Sequence, residues 1–149
     1  MTTYINLQVH FIWSTKDREP LLHTSFRDDL YGYIGGILRR RKHVLRCVGG
    51  TADHVHLLVS LQPQQSISDV VRDIKVNSSS WIHQTQPRLR GFAWQSGYGV
   101  FSVSHSSLPQ VTAYIENQEE HHRVRTFQEE FVKFLERHGV SYDERFLWA

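Results

Sequence analysis

The sequence predicts a single α+β domain, and three observations indicate this class. The chain has 149 residues, a length that suits one domain with a proper core. Hydrophobic residues make up 40% and aromatic residues 12% of it, so we expect a globular rather than a disordered chain. Segments with strand periodicity alternate with segments of helical periodicity. We therefore expect one domain over residues 1–149, without internal repeats.

Charge, cysteine content and hydropathy limit the classes of function. The formal net charge is only +2, a mildly basic balance that permits a nucleic-acid partner without demonstrating one. The single cysteine, Cys47, has no partner for an internal disulfide, which favours a reducing compartment. No segment reaches the roughly 18 apolar residues that a membrane span needs. We therefore expect no membrane association and a cytoplasmic location.

Hydrophobic periodicity and helix-start signals predict each element in turn. Alternating apolar and polar residues predict strands, and apolar residues three and four positions apart predict helices. Two of the helices begin with capping-box spacing, Ser66 with Asp69 and Thr126 with Glu129. In chain order the predicted elements are a strand at 4–13, a helix at 24–42, strands at 43–48 and 53–60, a helix opening at 66, a strand at 92–104, and helices at 107–122 and 126–138.

The predicted order is β-α-β-β-α-β followed by two helices. This is the ferredoxin-like (RRM-like) pattern, an antiparallel sheet with helices on one face. We expect the other face of the sheet to be free, with the C-terminal helices added beyond the sheet. Because residues 141–149 include Phe146 and Trp148, we also expect this tail to dock on another surface.

The third predicted strand carries the first candidate site residues. Its period of two places His54 and His56 on one face, and Val55 and Leu57 on the other. Two neighbouring imidazoles on one face can share a divalent metal ion. For an isolated His-X-His, the more ordinary interpretation is the solvent-exposed face of a half-buried strand. Residues elsewhere in the chain are therefore needed to distinguish a metal site from an exposed strand face.

The helix predicted at residues 107–122 supplies a tyrosine and an amide. Tyr114 and Gln118 are four residues apart and share one helix face. Alone, such a pair is unremarkable, but beside a histidine pair it offers a nucleophile and a third metal ligand. His121 and His122 follow them by about one turn. Contact with the metal or the phosphate is one interpretation of this pair, but we expect both to be surface residues at the end of the helix.

Together these motifs make the chain similar to the single-tyrosine HUH transposases of small bacterial insertion sequences. The HUH motif is His, a bulky apolar residue, His, and it corresponds here to His54, Val55 and His56. Tyr114 and Gln118 correspond to the catalytic tyrosine of this family and to the glutamine one turn further on. The resemblance also covers residues 11–16 and 92–103, so it extends over nearly the whole chain.

The resemblance implies a specific activity. Tyr114 would attack a DNA phosphodiester, form a covalent 5′-phosphotyrosine and release a 3′-hydroxyl, and the retained bond energy would allow the strands to be rejoined. His54, His56 and Gln118 would hold Mg²⁺ or Mn²⁺ at the scissile phosphate. The implied substrate is single-stranded DNA with hairpin ends. The implied assembly is a homodimer whose tyrosine helix completes the partner's site.

Other functions stay open at this level. A domesticated or replication-type HUH nickase would use the same chemistry without moving an element. A non-catalytic module that binds RNA or single-stranded DNA would share the order of elements, although the aromatic pair for base stacking is not evident. A hydrolytic metalloenzyme would stay active after Tyr114→Phe. The pattern does not indicate which basic residues contact nucleic acid.

Overall fold

A four-stranded antiparallel sheet forms the centre of the protein, with helices on both of its faces. The structure is a computed structural model that describes residues 1–148. The strands are β1 (Gln8–Ser14), β2 (Val44–Gly50), β3 (His54–Ser60) and β4 (Gly99–Ser102). The helices are α1 (Thr24–Arg40), α2 (Ile67–Thr85), α3 (Leu108–Glu116), α4 (Gln118–His121) and α5 (Phe127–Arg137).

The sheet has the order β2-β3-β1-β4. Strands β1 and β3 are therefore central, and their register places Ser14 opposite His54 and Ile12 opposite His56. Together with α1 and α2, these strands confirm the predicted β-α-β-β-α-β order and the α+β class. The central position of β3 means that both of its faces can be covered by other elements.

One face of the sheet packs against α1 and α2 and forms the main apolar core. Val55, Leu57 and Val59 of β3 point to this face and are fully buried. The helices contribute apolar residues at helical spacing, including Leu30 of α1 and Ile74 of α2, both inaccessible to solvent. Helix α2 begins as predicted, because the Ser66 side chain accepts a hydrogen bond from the Asp69 backbone N–H.

The opposite face of the sheet is covered, so the expectation of a free face is wrong. Helix α3 crosses β2 so closely that a Cβ at Gly49 would lie 2.2 Å from the carbonyl oxygen of Ile115. Helix α5 lies over β1 and β4, where Phe127 and Phe134 pack with Ile12 and Phe101. The physical reason is the amphipathic character of α5, whose apolar stripe needs a surface to bury it.

Three local features differ from the prediction. The helix expected at 107–122 is interrupted at Asn117, whose φ of −103° and ψ of 27° separate α3 from α4. Strand β4 covers only Gly99–Ser102, because the segment before it turns at Gly97, which has a φ of 87°. Strand β1 begins at Gln8 rather than at Tyr4.

The C-terminal segment docks on the same face as α5, as expected. The Trp148 ring packs against Phe127 and Phe131, and the Arg18 guanidinium lies 5.2 Å from its centroid. Phe146 is instead 68% exposed, and Ala149 lies outside the described residues. Within residues 1–148, no helix has the length and apolar character needed to cross a membrane.

Candidate active site

The histidine pair lies on the covered face of the sheet, at its centre. His54 and His56 are both fully inaccessible to solvent, so the interpretation of a solvent-exposed strand face is wrong. Their neighbours Val55 and Leu57 point into the apolar core on the other face, as the period of two predicts. Two buried imidazoles on one face require polar partners, and these partners define the site.

Each imidazole is held at its Nδ1 atom. His54 Nδ1 lies 2.7 Å from Asp53 Oδ1, and the Thr51 hydroxyl donates a hydrogen bond to the same carboxylate oxygen at 3.0 Å. His56 Nδ1 lies 2.8 Å from His10 Nε2. Because both Nδ1 atoms are engaged in this way, the Nε2 atoms of the pair face the centre of the cluster, as is common for metal-ligating histidines.

Gln118 joins the histidine pair from the start of α4. Its Oε1 lies 3.0 Å from His54 Nε2, and its side chain is buried, with 1% of its surface exposed. The Gln118 Nε2 group donates a hydrogen bond to the Tyr114 carbonyl at 3.3 Å, which connects α4 with the helix before it. The structure therefore brings together the three predicted metal ligands, His54, His56 and Gln118, although they come from two distant parts of the chain.

The cluster contains two further residues, Glu130, which was not predicted, and His122, which was expected at the surface. Glu130 of α5 is 2% exposed, and its Oε1 lies 2.9 Å from His56 Nε2, 3.1 Å from His122 Nε2 and 3.5 Å from His54 Nε2. The prediction of His122 as a surface residue is wrong, because its side chain is only 11% exposed. One ligand atom from each of these four residues lies within 4.8 Å of the others.

The sequence does carry a signal for Glu130. This residue follows Phe127 by three positions and precedes Phe134 by four, so it lies on the apolar stripe of α5 rather than on its exposed face. An acidic residue within an apolar stripe is buried when the helix packs, and a buried carboxylate needs a specific partner. His122 lies in a turn between two helices and carries no comparable signal.

Tyr114 contacts the cluster of its own chain. Its hydroxyl donates a hydrogen bond to Glu130 Oε2, and its ring centroid lies 5.9 Å from that of His56. The ring stacks on His121 with a centroid distance of 4.5 Å. Tyr114 is half-buried and lines two surface cavities, so the residue lies at the edge of the cluster.

The cluster favours a charged carboxylate at Glu130 and a neutral imidazole at His56, whereas at His122 the effect of burial is outweighed by Glu130, which raises the pKa of that imidazole. Burial opposes ionisation of Glu130, but the adjacent His122 and His56 hold its carboxyl pKa well below the ordinary value. Burial lowers the pKa of His56 to about 4, although Glu130 opposes this shift. Burial and the Glu130 carboxylate together raise the pKa of the Tyr114 phenol. A charged Glu130 carboxylate and a neutral His56 imidazole are the states that metal ligation requires of these two residues.

The donor set fits a divalent cation. Two ligands at right angles on Mg²⁺ or Mn²⁺, each about 2.1 Å from the ion, lie about 3.0 Å apart. Glu130 Oε1 lies at comparable distances from the Nε2 atoms of the three imidazoles, 2.9 Å from His56, 3.1 Å from His122 and 3.5 Å from His54. His122 Nε2 is shielded from solvent and makes no hydrogen bond of acceptable geometry within residues 1–148. Imidazole nitrogen suits Mn²⁺ better than Mg²⁺, which prefers oxygen.

Comparison with known proteins identifies the class to which this fold and cluster belong, that of the IS200-like transposases. Residues 3–118 match the family described as "Transposase IS200 like", and the chain belongs to this family. It is 32% identical to the ISDra2 transposase TnpA of Deinococcus radiodurans over an alignment of 117 residues. This alignment covers 75% of the chain and 84% of the relative.

Two solved structures resemble the chain. One is a structure described as a transposase from Deinococcus radiodurans R1, with a TM-score of 0.66 and 31% sequence identity. The matched region covers 79% of this chain and 95% of the chain in that structure. The other is a REP-associated tyrosine transposase bound to a REP hairpin, with a TM-score of 0.58, 19% identity and coverage of 77% and 68%. At that identity the second structure supports the fold alone.

The family match ends at Gln118. It therefore includes His54, His56, Tyr114 and Gln118, while the rest of the cluster comes from the segment that follows. Within that segment, His122 and Glu130 supply two of the buried polar groups that surround the histidine pair. The structure thus extends the candidate site beyond the residues that match the family.

Proposed function

We propose that this transposase cleaves and rejoins single-stranded DNA, with Tyr114 as nucleophile and a divalent cation, Mg²⁺ or Mn²⁺, held by His54, His56 and Gln118. The observation that carries the proposal is the convergence of a tyrosine hydroxyl with a buried group of imidazoles. One carboxylate, that of Glu130, contacts both the Tyr114 hydroxyl and the Nε2 atom of His56. Membership of the IS200-like transposase family supports DNA as the substrate.

The chemistry assigned to the chain's own residues is a transesterification. The Tyr114 oxygen attacks the phosphorus of a phosphodiester, a tyrosine–phosphorus bond forms, and the bond from phosphorus to the 3′-oxygen breaks. The tyrosine loses its proton, and the departing 3′-oxygen gains one, so that a 3′-hydroxyl and a 5′-phosphotyrosine result. A bound cation would stabilise negative charge on the phosphate oxygens. Asp53 and His10 orient the two metal-ligating imidazoles through their Nδ1 atoms.

The surface around Tyr114 is suited to a nucleic-acid strand. Arg125, Lys133 and Arg137 are exposed and line a small cavity together with Tyr114 and Glu130. A larger cleft of about 530 Å³ opens on the other side of Tyr114, between β4 and helices α3 and α5. Cations beside a nucleophile attract a phosphate backbone, so we propose this cationic rim as the path of the strand.

The substrate that we propose is single-stranded DNA with hairpin ends. The resemblance to the single-tyrosine HUH transposases implies this choice, and a transposase of the same fold carries a bound REP hairpin. Simple binding of nucleic acid on an open sheet is less consistent with the structure, because α3 and α5 cover the face on which an RNA-recognition fold stacks bases. Nicking and transposition share the cleavage step and differ in whether the strands are rejoined.

Covalent adduct formation tests the proposal. The full-length protein is incubated with labelled single-stranded DNA from the sequence flanking its gene, with and without Mn²⁺ or Mg²⁺, and run on a denaturing gel. We expect a metal-dependent adduct that is lost in Tyr114→Phe and in His56→Ala. Tyr98→Phe, which changes an exposed tyrosine far from the cluster, is the matched control. Tight binding of the strand without any adduct would contradict the nucleophile assignment and favour a binding module.

We further propose a homodimer, and the contribution of each subunit can be tested. In the structure Tyr114 contacts the cluster of its own chain, which supports action in cis, whereas the family resemblance implies action in trans. A mixture of Tyr114→Phe and His56→Ala proteins distinguishes the two. Action in trans restores the adduct, because a tyrosine from one subunit reaches an intact metal site on the other. Action in cis leaves the mixture inactive.

A further inference from the structure

We infer that Glu130 is a ligand of the divalent cation and at the same time positions Tyr114. The inference rests on the proposed function, and it extends the active site to α5, beyond the region of the family match. A carboxylate would then join two imidazoles and an amide at the metal. The C-terminal segment would form part of the active site rather than cover the sheet for stability alone.

The surroundings of Glu130 point to a metal ion. The carboxylate is 2% exposed, and within residues 1–148 no Lys or Arg nitrogen lies within 4.0 Å of it. A buried carboxylate without a cationic partner is strongly unfavourable. The polar groups that contact it are imidazole nitrogens and the Tyr114 hydroxyl. The imidazoles can offset this charge only when one of them is protonated, as at His122, which lies 3.1 Å from Glu130 Oε1. A divalent cation among the same imidazoles would supply the positive charge at neutral pH without that proton.

The distances around Glu130 Oε1 are those of neighbouring metal ligands. This single oxygen lies 2.9 to 3.5 Å from the Nε2 atoms of His54, His56 and His122. Hydrogen bonding alone would have both His56 and His122 donate to this oxygen, while His54 Nε2 contacts Gln118 Oε1. A cation held by His54, His56, Gln118 and Glu130 would bring this oxygen close to the imidazole nitrogens, because ligands at right angles lie about 3.0 Å apart. His122 would then lie beside the ligand set.

The second oxygen of the same carboxylate explains the connection to the nucleophile. Glu130 Oε2 accepts the hydrogen bond of the Tyr114 hydroxyl, while Oε1 faces the imidazoles. One rigid carboxylate thus fixes the distance between the phenolic oxygen and the metal site. Holding a nucleophile near its point of attack is a general source of catalytic rate, and Glu130 acts here through Tyr114 as a positioning residue.

Binding of Mn²⁺ without DNA tests the ligand role separately from activity. Titration of the full-length protein, followed by the electron paramagnetic resonance signal of free Mn²⁺, gives the dissociation constant. We expect Glu130→Gln to weaken Mn²⁺ binding by about 10- to 100-fold, the scale observed when groups supporting a metal site are changed. Glu129→Gln is the matched control, because it makes the same change at an exposed neighbour on the same helix, and we expect a change of less than about twofold. Equal Mn²⁺ affinity in Glu130→Gln and the unaltered protein would overturn the ligand role.

A measurement on the unaltered protein covers the case in which Glu130→Gln fails to fold. Ligation by Glu130 predicts that Mn²⁺ slows amide hydrogen exchange in α5, since a bound ligand opposes local opening of the element that holds it. Exchange in α1, which lies on the other face, should not change. Unaltered exchange in α5 at saturating Mn²⁺ would also overturn the inference.

The positioning role is tested at saturating Mn²⁺, where loss of metal binding no longer limits the reaction. We expect Glu130→Ala to form the covalent adduct at least about tenfold more slowly than the unaltered protein while it binds the DNA strand equally well. An unchanged rate would contradict the positioning role. If Glu130-dependent Mn²⁺ binding is found but no adduct forms on Tyr114, the proposed function fails and the ligand role stands. If the adduct forms but Mn²⁺ binding is insensitive to Glu130, the proposed function stands and the ligand role of Glu130 fails.

Discussion

Neighbouring residues of β3 are buried in two different environments. Leu57 and His56 are adjacent, and neither is accessible to solvent. Leu57 contacts the apolar residues of α1 and α2, whereas His56 contacts Glu130 and His10 through both of its ring nitrogens. The comparison teaches that burial alone does not distinguish a residue that stabilises the fold from one that builds the site.

The two faces of the sheet also differ in the kind of interaction that holds them. Apolar burial on the face of α1 and α2 is non-directional, so many combinations of side chains can satisfy it. The polar cluster on the face of α3 to α5 depends on direction, because each buried donor and acceptor needs a partner in a set position. We therefore expect changes on the first face to alter stability alone. Changes on the second face should alter metal binding and chemistry as well.

The largest effect on stability is expected from Leu57→Ala. Removing a fully buried leucine side chain costs about 2 to 5 kcal/mol of unfolding free energy, through lost burial and the cavity left behind. Urea denaturation measures this loss. Because Leu57 does not contact the cluster, the loss should be the same with and without Mn²⁺. A loss that saturating Mn²⁺ abolishes would show that the two faces are coupled.

Addition of Mn²⁺, which we expect to bind on the other face of the sheet, should change the unfolding free energy by a comparable amount. At a free Mn²⁺ concentration 100 times the dissociation constant, binding to the folded state raises the unfolding free energy by about 2.7 kcal/mol. We expect this increment to disappear in His54→Ala. His83→Ala should retain it, because the His83 ring contacts the Phe92 carbonyl and lies outside the cluster. An increment that persists in His54→Ala would place the metal elsewhere.

A smaller effect is expected where the helices of the second face approach the sheet. A methyl group at Gly49 would lie 2.2 Å from the backbone oxygen of Ile115, next to the candidate nucleophile, whereas at Gly99 it would lie 2.6 Å from the ring of Phe131. A ring can turn aside more easily than a helix backbone can move. We expect Gly49→Ala to cost about 1 to 3 kcal/mol and to slow adduct formation, with a smaller change in Gly99→Ala. Equal rates in the two variants would show that α3 adjusts freely.

The faces of β3 could be predicted from the sequence because they depend only on local geometry. Alternation alone places Val55 and Leu57 opposite His54 and His56, and the structure confirms it. The proximity of Gln118 to the histidine pair also agrees with the interpretation of its motif. These predictions succeed because the relevant spacing lies within a single element or within a recognisable motif.

The cover of the second face could not be predicted, because it depends on how separate elements pack. The amphipathic stripe of α5 indicates that this helix is buried, but not which surface it covers. Glu130 therefore enters the cluster by tertiary packing, 74 residues from His56 along the chain. His122 depends on the break at Asn117, which redirects the chain toward the histidines. The apolar stripe around Glu130 indicates that this residue is buried but not which groups it contacts, and the residue types do not indicate the position of His122.

The smallest expected effects compare the N-caps of two helices on opposite faces. Ser66 caps α2 and Thr126 caps α5, each by accepting a backbone hydrogen bond. Replacing either by Ala should cost about 1 kcal/mol, which raises the local opening equilibrium about fivefold. We expect Thr126→Ala to accelerate amide exchange in α5 but not in α2, and Ser66→Ala to do the opposite. Faster amide exchange in both helices after either change would mean that the two faces open together. The site would then share the stability of the apolar core.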